Sequence, residues 1–143
     1  MRIVLDTNIW ISGLLLPNSK AGLLLEAWRM GKIDIITSAS ILSEIQKVLL
    51  YPKISKRTGW DEAKVKEYAT LIGIFTENVH NIEGHWVQVE RDPKDSHILS
   101  TFIASNADFL VTGDNDLIEL KERYAILTLN ELFEKEPRIL ISK

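Results

Sequence analysis

Cysteine is absent from the 143 residues, which removes disulfide frames, thiol catalysis, iron–sulfur clusters and cysteine-based zinc sites and fits a reducing cytosol. With 7 Gly and 4 Pro the chain is neither collagen-like nor of low complexity. No run approaches the ~20 apolar residues of a membrane span. Asp6 interrupts the first apolar stretch and Pro17 follows the second, so neither a signal peptide nor membrane association is expected, and the expected location is the cytoplasm. Positive charge is scarce: 17 Lys and Arg stand against 20 Asp and Glu, a net charge of -3. That counts against nucleic-acid binding carried by basic residues alone, but not against a site where bound cations meet the phosphate. What remains is an ordinary globular composition, 45% hydrophobic and 26% charged, at a length that predicts one domain over residues 1–143.

Short β-branched runs alternate with helical periodicity. Arg2-Ile3-Val4-Leu5-Asp6 reads as a strand buried on both faces and ending at a carboxylate. Ala21–Met30 has helical spacing with Gly31 as C-cap, and Asp34–Thr37 is a second strand. Ser38 or Ser40 caps a helix carrying Ile41, Leu42, Ile45, Val48 and Leu49, which Tyr51-Pro52 ends. Asp61 starts another, with Val65, Tyr68, Ala69 and Ile72 on one face. Residues 77–90 read as extended, with short strands at Asn78–His80 and Trp86–Val89. Asp92-Pro93 opens a helix whose buried stripe is Ile98, Leu99, Phe102 and Ile103. Phe109–Thr112 is a core strand, followed by a short helix from Asn115 to Glu122, a strand at Tyr124–Leu127, and a helix opened by the capping box of Thr128 and Glu131. This alternation predicts an α/β fold, a parallel sheet with helices on both faces.

In such sheets ligands bind at the carboxyl ends of the strands. Asp6 ends the first strand, Asp114 follows the Phe109–Thr112 strand, Asp95 lies in the first turn after Asp92-Pro93, and Glu44 lies one turn into the helix after the second strand. Each taken alone has an ordinary explanation as a turn, cap or solvated residue. Together, carboxylates in one cleft repel and must be protonated, paired or metal-bound. No Lys or Arg adjoins Asp6 or Asp114 in sequence. Oxygen donors without cysteine suit Mg²⁺ or Mn²⁺. Such ions lower the pKa of a bound water and clamp phosphodiester oxygens, which points to metal-dependent phosphodiester hydrolysis. Asp92 competes with Asp95 for the third place; Asp95 is preferred because Asp92 serves better as the N-cap. His97 is expected to point elsewhere on its helix, as an exposed or capping residue. The four tryptophans read as core or interface. Lys53, Lys56 and Arg57 read either as a solvated loop or as an electrostatic lip for a phosphate backbone.

The segments Ile3-Val4-Leu5-Asp6-Thr7-Asn8, Ser43-Glu44 with Leu50-Tyr51-Pro52-Lys53, Arg91-Asp92-Pro93-Lys94-Asp95 and Ala107-Asp108-Phe109-Leu110-Val111-Thr112-Gly113-Asp114-Asn115-Asp116-Leu117 resemble, in that order, the PIN-domain family, and within it the prokaryotic toxin components of toxin–antitoxin systems. The resemblance runs to about residue 132. It implies a three-layer α/β/α sandwich with a central parallel sheet, and a Mg²⁺- or Mn²⁺-dependent endoribonuclease acting on single-stranded RNA. By motif position Asp6, Glu44, Asp95 and Asp114 match the acidic metal site and Asp116 a further acid. Thr7, Asn8 and Thr112 match residues that orient the carboxylates. A homodimer and an antitoxin partner follow from the same resemblance.

Three enzyme or cofactor folds fit less well. A receiver domain needs a paired early acid and a middle strand ending in Asp, an Asp-x-Asp phosphatase needs a second acid where Asn8 stands, and a dinucleotide fold needs G-x-G-x-x-G. The alternative of another class is a catalytically silent α/β module whose acidic cleft holds a basic partner or a metal.

Overall fold

The computed structural model describes residues 1–140. Five strands, β1 (Arg2–Leu5), β2 (Asp34–Ser38), β3 (Glu77–Val79), β4 (Phe109–Val111) and β5 (Ile126–Leu127), form one sheet in the order β3-β2-β1-β4-β5. Every pairing is parallel; Ile3 lies opposite Ile35 on one side and Phe109 on the other. Strand β1 takes the centre because Ile3, Val4 and Leu5 are apolar in succession and fully buried, as a strand covered on both faces requires.

Helices α1 (Thr7–Leu15) and α2 (Lys20–Arg29) connect β1 to β2, and α3 (Ala39–Leu49), α4 (Pro52–Thr58) and α5 (Glu62–Phe75) connect β2 to β3. Helix α6 (Ser96–Ser105) carries the chain back past β2 and β1 to β4, and α7 (Asn115–Ile118) leads to β5. The right-handed crossover rule puts α1–α5 on one face and α6 and α7 on the other. In accord with this, α6 packs across β1, β2, β3 and β4. Helix α8 (Leu129–Lys135) follows β5, opened by the Thr128–Glu131 capping box. The α/β fold with helices around a parallel sheet is thus as the alternation predicts. Helices α1 and α2 approach closely: a Cβ on Gly13 of α1 would lie 2.5 Å from Leu25 Cδ1 of α2. Trp10 and Trp28 meet edge to face at 5.2 Å in that layer.

Four local expectations need correction. Trp86–Val89 is extended but is no strand. Its backbone bonds to side chains of α6 instead, Val87 N to Ser100 Oγ (2.9 Å) and Val89 N to Ser96 Oγ (2.8 Å). Lys53, Lys56 and Arg57 belong to α4 and not to a loop: Pro52 ends the preceding helix and also supplies N1 of the next, which Gly59 stops at φ 70°. The helix after Asp92 begins as a 3₁₀ turn, Pro93–Asp95, before α6 proper. The helix from Asn115 ends at Ile118 and not at Glu122.

Candidate functional site

The strand order reverses between β1 and β4, and a crevice forms where neighbouring crossovers depart to opposite faces. Asp6 leaves β1 there. Its amide still donates to Val111 O at 3.0 Å, so pairing with β4 extends one residue beyond the strand and sets Asp6 beside Thr112. The buried Thr112 hydroxyl donates to Asp6 Oδ2 (2.7 Å) and accepts from the Asp114 amide (3.0 Å). One hydroxyl therefore fixes a carboxylate at the end of β1 relative to one that follows β4. Asp6 also caps α1, accepting from Asn8 N at 3.5 Å. Asp114 caps α7, accepting from Asp116 N at 2.8 Å.

From the other side the 3₁₀ turn delivers Asp92 and Asp95. Oxygens of Asp92, Asp95, Asp114 and Asp116 all lie within 4.8 Å of one another. Asp95 is 9% exposed and its Oδ2 has no hydrogen-bond partner. Burial pushes the Asp95 carboxyl up to about 8, with further upward pressure from the charge of Asp114 and a hydrogen bond to it, then from Asp6 and Asp92. Burial also raises Asp6, against the lowering effect of its bonds to Thr112 and Asn8, while the charges of Asp114 and Glu44 push it further up.

Glu44 is held differently. Burial, the largest single influence, would raise it, but the hydrogen bond from His97, Thr7 and the charges of His97 and Lys47 together outweigh it and hold the carboxyl below its ordinary range. His97 Nε2 lies 3.0 Å from Glu44 Oε2 and Nδ1 lies 3.1 Å from Ser40 Oγ. Ser38 joins Ser40 to Thr101 of α6. His97 is thus no exposed or capping residue; it bridges α6 to α3 at Glu44, because two positions beyond Asp95 its ring meets the neighbouring helix.

Of the residues singled out in the sequence, Asp95, Asp114 and Asp116 share the tight group. Asp6 and Glu44 stand outside that 4.8 Å set, though the charges of Asp114 and Glu44 act on Asp6, and those of Asp114 and Asp6 on Asp95. Asp92 both caps, accepting from Lys94 N at 3.1 Å, and contributes an oxygen to the group. Lys53, Lys56 and Arg57 are exposed on α4. Sequence reasoning missed Arg91, whose Nε lies 3.3 Å from Asp116 Oδ1 and whose guanidinium also pairs with Glu119. The one available signal was its place beside Asp92. A donor set made only of carboxylates, mutually repelling and with a buried unpartnered oxygen on Asp95, fits a hard divalent cation.

The model of the PIN domain matches residues 2–116. The chain is 32% identical over 140 residues to the uncharacterized protein MJ1680 of Methanocaldococcus jannaschii, covering 96% of this chain and 86% of that one. No solved structure matches the chain.

Proposed function

Since the chain belongs to the PIN-domain family, we propose that it is a metal-dependent endoribonuclease hydrolysing phosphodiester bonds of single-stranded RNA, the toxin component of a toxin–antitoxin pair. The observation that carries this reading is the convergence of Asp92, Asp95, Asp114 and Asp116 at the crevice that Asp6 also faces. Asp6, Asp95 and Asp114, with Asp116 and with Glu44 directly or through water, would hold Mg²⁺ or Mn²⁺. A hard divalent cation bound there lowers the pKa of water and offsets charge on phosphoryl oxygens. Thr112 and Asn8 aim Asp6, His97 aims Glu44 with the buried Thr7 hydroxyl, which has no hydrogen-bond partner, nearby, and Lys53, Lys56 and Arg57 of α4 guide the backbone of the strand. Water would attack the phosphorus with the 3′ oxygen leaving and taking up a proton, so the products carry 5′-phosphate and 3′-hydroxyl ends, whereas attack by a 2′-hydroxyl would give a cyclic phosphate. RNA as the substrate, the antitoxin partner, a homodimer, a single domain over 1–143 and action in the cytoplasm rest on the sequence resemblance and composition.

The test is cleavage of end-labelled single-stranded RNA with Mg²⁺ or Mn²⁺ by the native protein and by Asp6→Asn. Cleavage that needs the cation, leaves 5′-phosphates and collapses in the variant is expected. Cyclic-phosphate ends or full activity in EDTA would contradict the reading.

A further inference from the structure

A cation beside the carboxylate crevice has no part in the proposed chemistry. Arg91 immediately precedes Asp92 and pairs with Asp116, a member of the tight acidic group, and with Glu119, which lies outside it. Its side chain is 63% exposed. All three residues line a cleft of about 380 Å³ that runs between the 87–91 segment and the chain around α7, with Leu99, Leu120 and Tyr124 in its walls. A buried structural ion pair would sit differently. Here the guanidinium lies at the mouth of a cleft, in solvent, and is shared between two acids.

A phosphodiester brought to this crevice meets four carboxylates, and its own negative charge is repelled by whichever of them a cation does not offset. Guanidinium is the side chain whose planar fork matches phosphate oxygens, and it remains charged at any working pH. Exposed ion pairs are weak and are easily exchanged for another anion. The two acids compete for the same fork that a phosphate would occupy.

We propose that Arg91 is a substrate-binding residue, parked on Asp116 and Glu119 in the free protein, that transfers its guanidinium to a backbone phosphate of the bound strand beside the carboxylate crevice. The exchange has two consequences of opposite sign. Binding the strand gains a phosphate contact, and Asp116 loses the cation that occupies its oxygen. Glu119, which pairs with the parked arginine and lies outside the acidic group, acts as a brake on strand binding. This inference rests on the reading that the crevice takes a nucleic-acid strand.

The experiment measures binding of a fluorescent single-stranded oligoribonucleotide to the intact protein in Ca²⁺ and in EDTA, over a range of salt concentrations, for the native chain, Arg91→Ala, Arg91→Lys and Glu119→Gln. Thermal melting alongside confirms folding. Arg91→Ala should weaken binding roughly tenfold and flatten the plot of log affinity against log salt by about 0.7, the contribution of one phosphate contact on a single strand. Arg91→Lys should restore the slope but only part of the affinity. Glu119→Gln should tighten binding, an outcome that a purely structural ion pair does not produce. If the native protein binds and Arg91→Ala binds equally well with the same slope, or if Glu119→Gln weakens binding as Arg91→Ala does, the inference is overturned and the proposed function stands. If the native protein binds no RNA, the proposed function falls and this inference with it.

Discussion

The two edges of the sheet carry charge in opposite ways. At the amino-terminal edge, where β1 begins, charges are matched within the protein. The Arg2 guanidinium pairs with Glu77 and donates to the Ser105 and Asn106 carbonyls, and its amide donates to Asp108 Oδ2 at 2.8 Å. An apolar cavity of about 360 Å³, walled by Trp28, Tyr68 and Phe75, lies where α2 and α5 end on the way to that edge. At the carboxyl-terminal edge Asp92, Asp95, Asp114 and Asp116 face one another, Asp95 keeps a buried oxygen without a partner, and both Asp6 and Asp95 are pushed above the ordinary carboxylate range. Folding alone favours the first arrangement. An acid cluster retained against its own repulsion is the arrangement that a cation bound from outside would complete.

Substitutions that treat the two edges alike should therefore have very unlike effects. Asp6→Asn should lower RNA cleavage by at least about 100-fold, since loss even of groups behind metal ligands costs 10–100-fold. Asp108→Asn, equally an aspartate beside a strand but matched at the other edge, should leave turnover unchanged. Thr112→Val comes next. It keeps the shape of the side chain but removes the bond to Asp6 Oδ2, and should reduce turnover roughly 10–100-fold by loosening Asp6 against Asp114. A Thr112→Ser protein, which retains the hydroxyl, should recover most of that loss.

Stability should depend on pH through the acidic edge. Asp95 in the folded protein titrates at about 8, whereas the unfolded chain loses that proton near pH 4. Between those values the folded state holds a proton that the unfolded state has released, so stability of the metal-free protein should fall as pH rises from about 4 to about 8. Asp6 adds in the same direction. Glu44 opposes it only at the acid end, where protonating its lowered carboxyl removes stability. Melting curves without metal should show the decline. Saturating Mn²⁺ should reverse it, adding about 2.7 kcal/mol at a hundredfold excess over the dissociation constant. A much shallower profile in Asp95→Asn than in the native protein, leaving the smaller slope due to Asp6, would tie most of the effect to this residue. The smallest change is expected at the matched edge: Arg2→Ala should cost no more than about 1 kcal/mol, as exposed ion pairs do, with no change in cleavage.

The same contrast explains what could be read before the structure. Strands β1 and β4 are short apolar runs that stop near acids, so the placement of Asp6 and Asp114 at strand ends follows from local pattern. The Thr128–Glu131 box and the Ser38 cap are equally local. The contacts that shape the site are not. His97 meets Glu44 across 53 residues and Arg91 meets Glu119 across 28, and helical periodicity does not say which neighbouring helix a side chain will touch. A cap accounts for one oxygen of Asp92, yet a carboxylate has two, and the residue also belongs to the acidic group. Trp86–Val89 has the alternation of a strand, but its partners are serine hydroxyls of α6, which no pairing pattern reveals.

Calorimetric titration of Mn²⁺ into the native protein and into Asp95→Asn at pH 7, repeated in buffers of different ionisation enthalpy, tests the central claim most directly. If the acidic edge is held for a divalent cation, the native protein should bind Mn²⁺ saturably and release about one proton as Asp95 gives up its own, and the variant should bind more weakly and release far less. Absence of saturable binding, or the same proton release from both proteins, would contradict it.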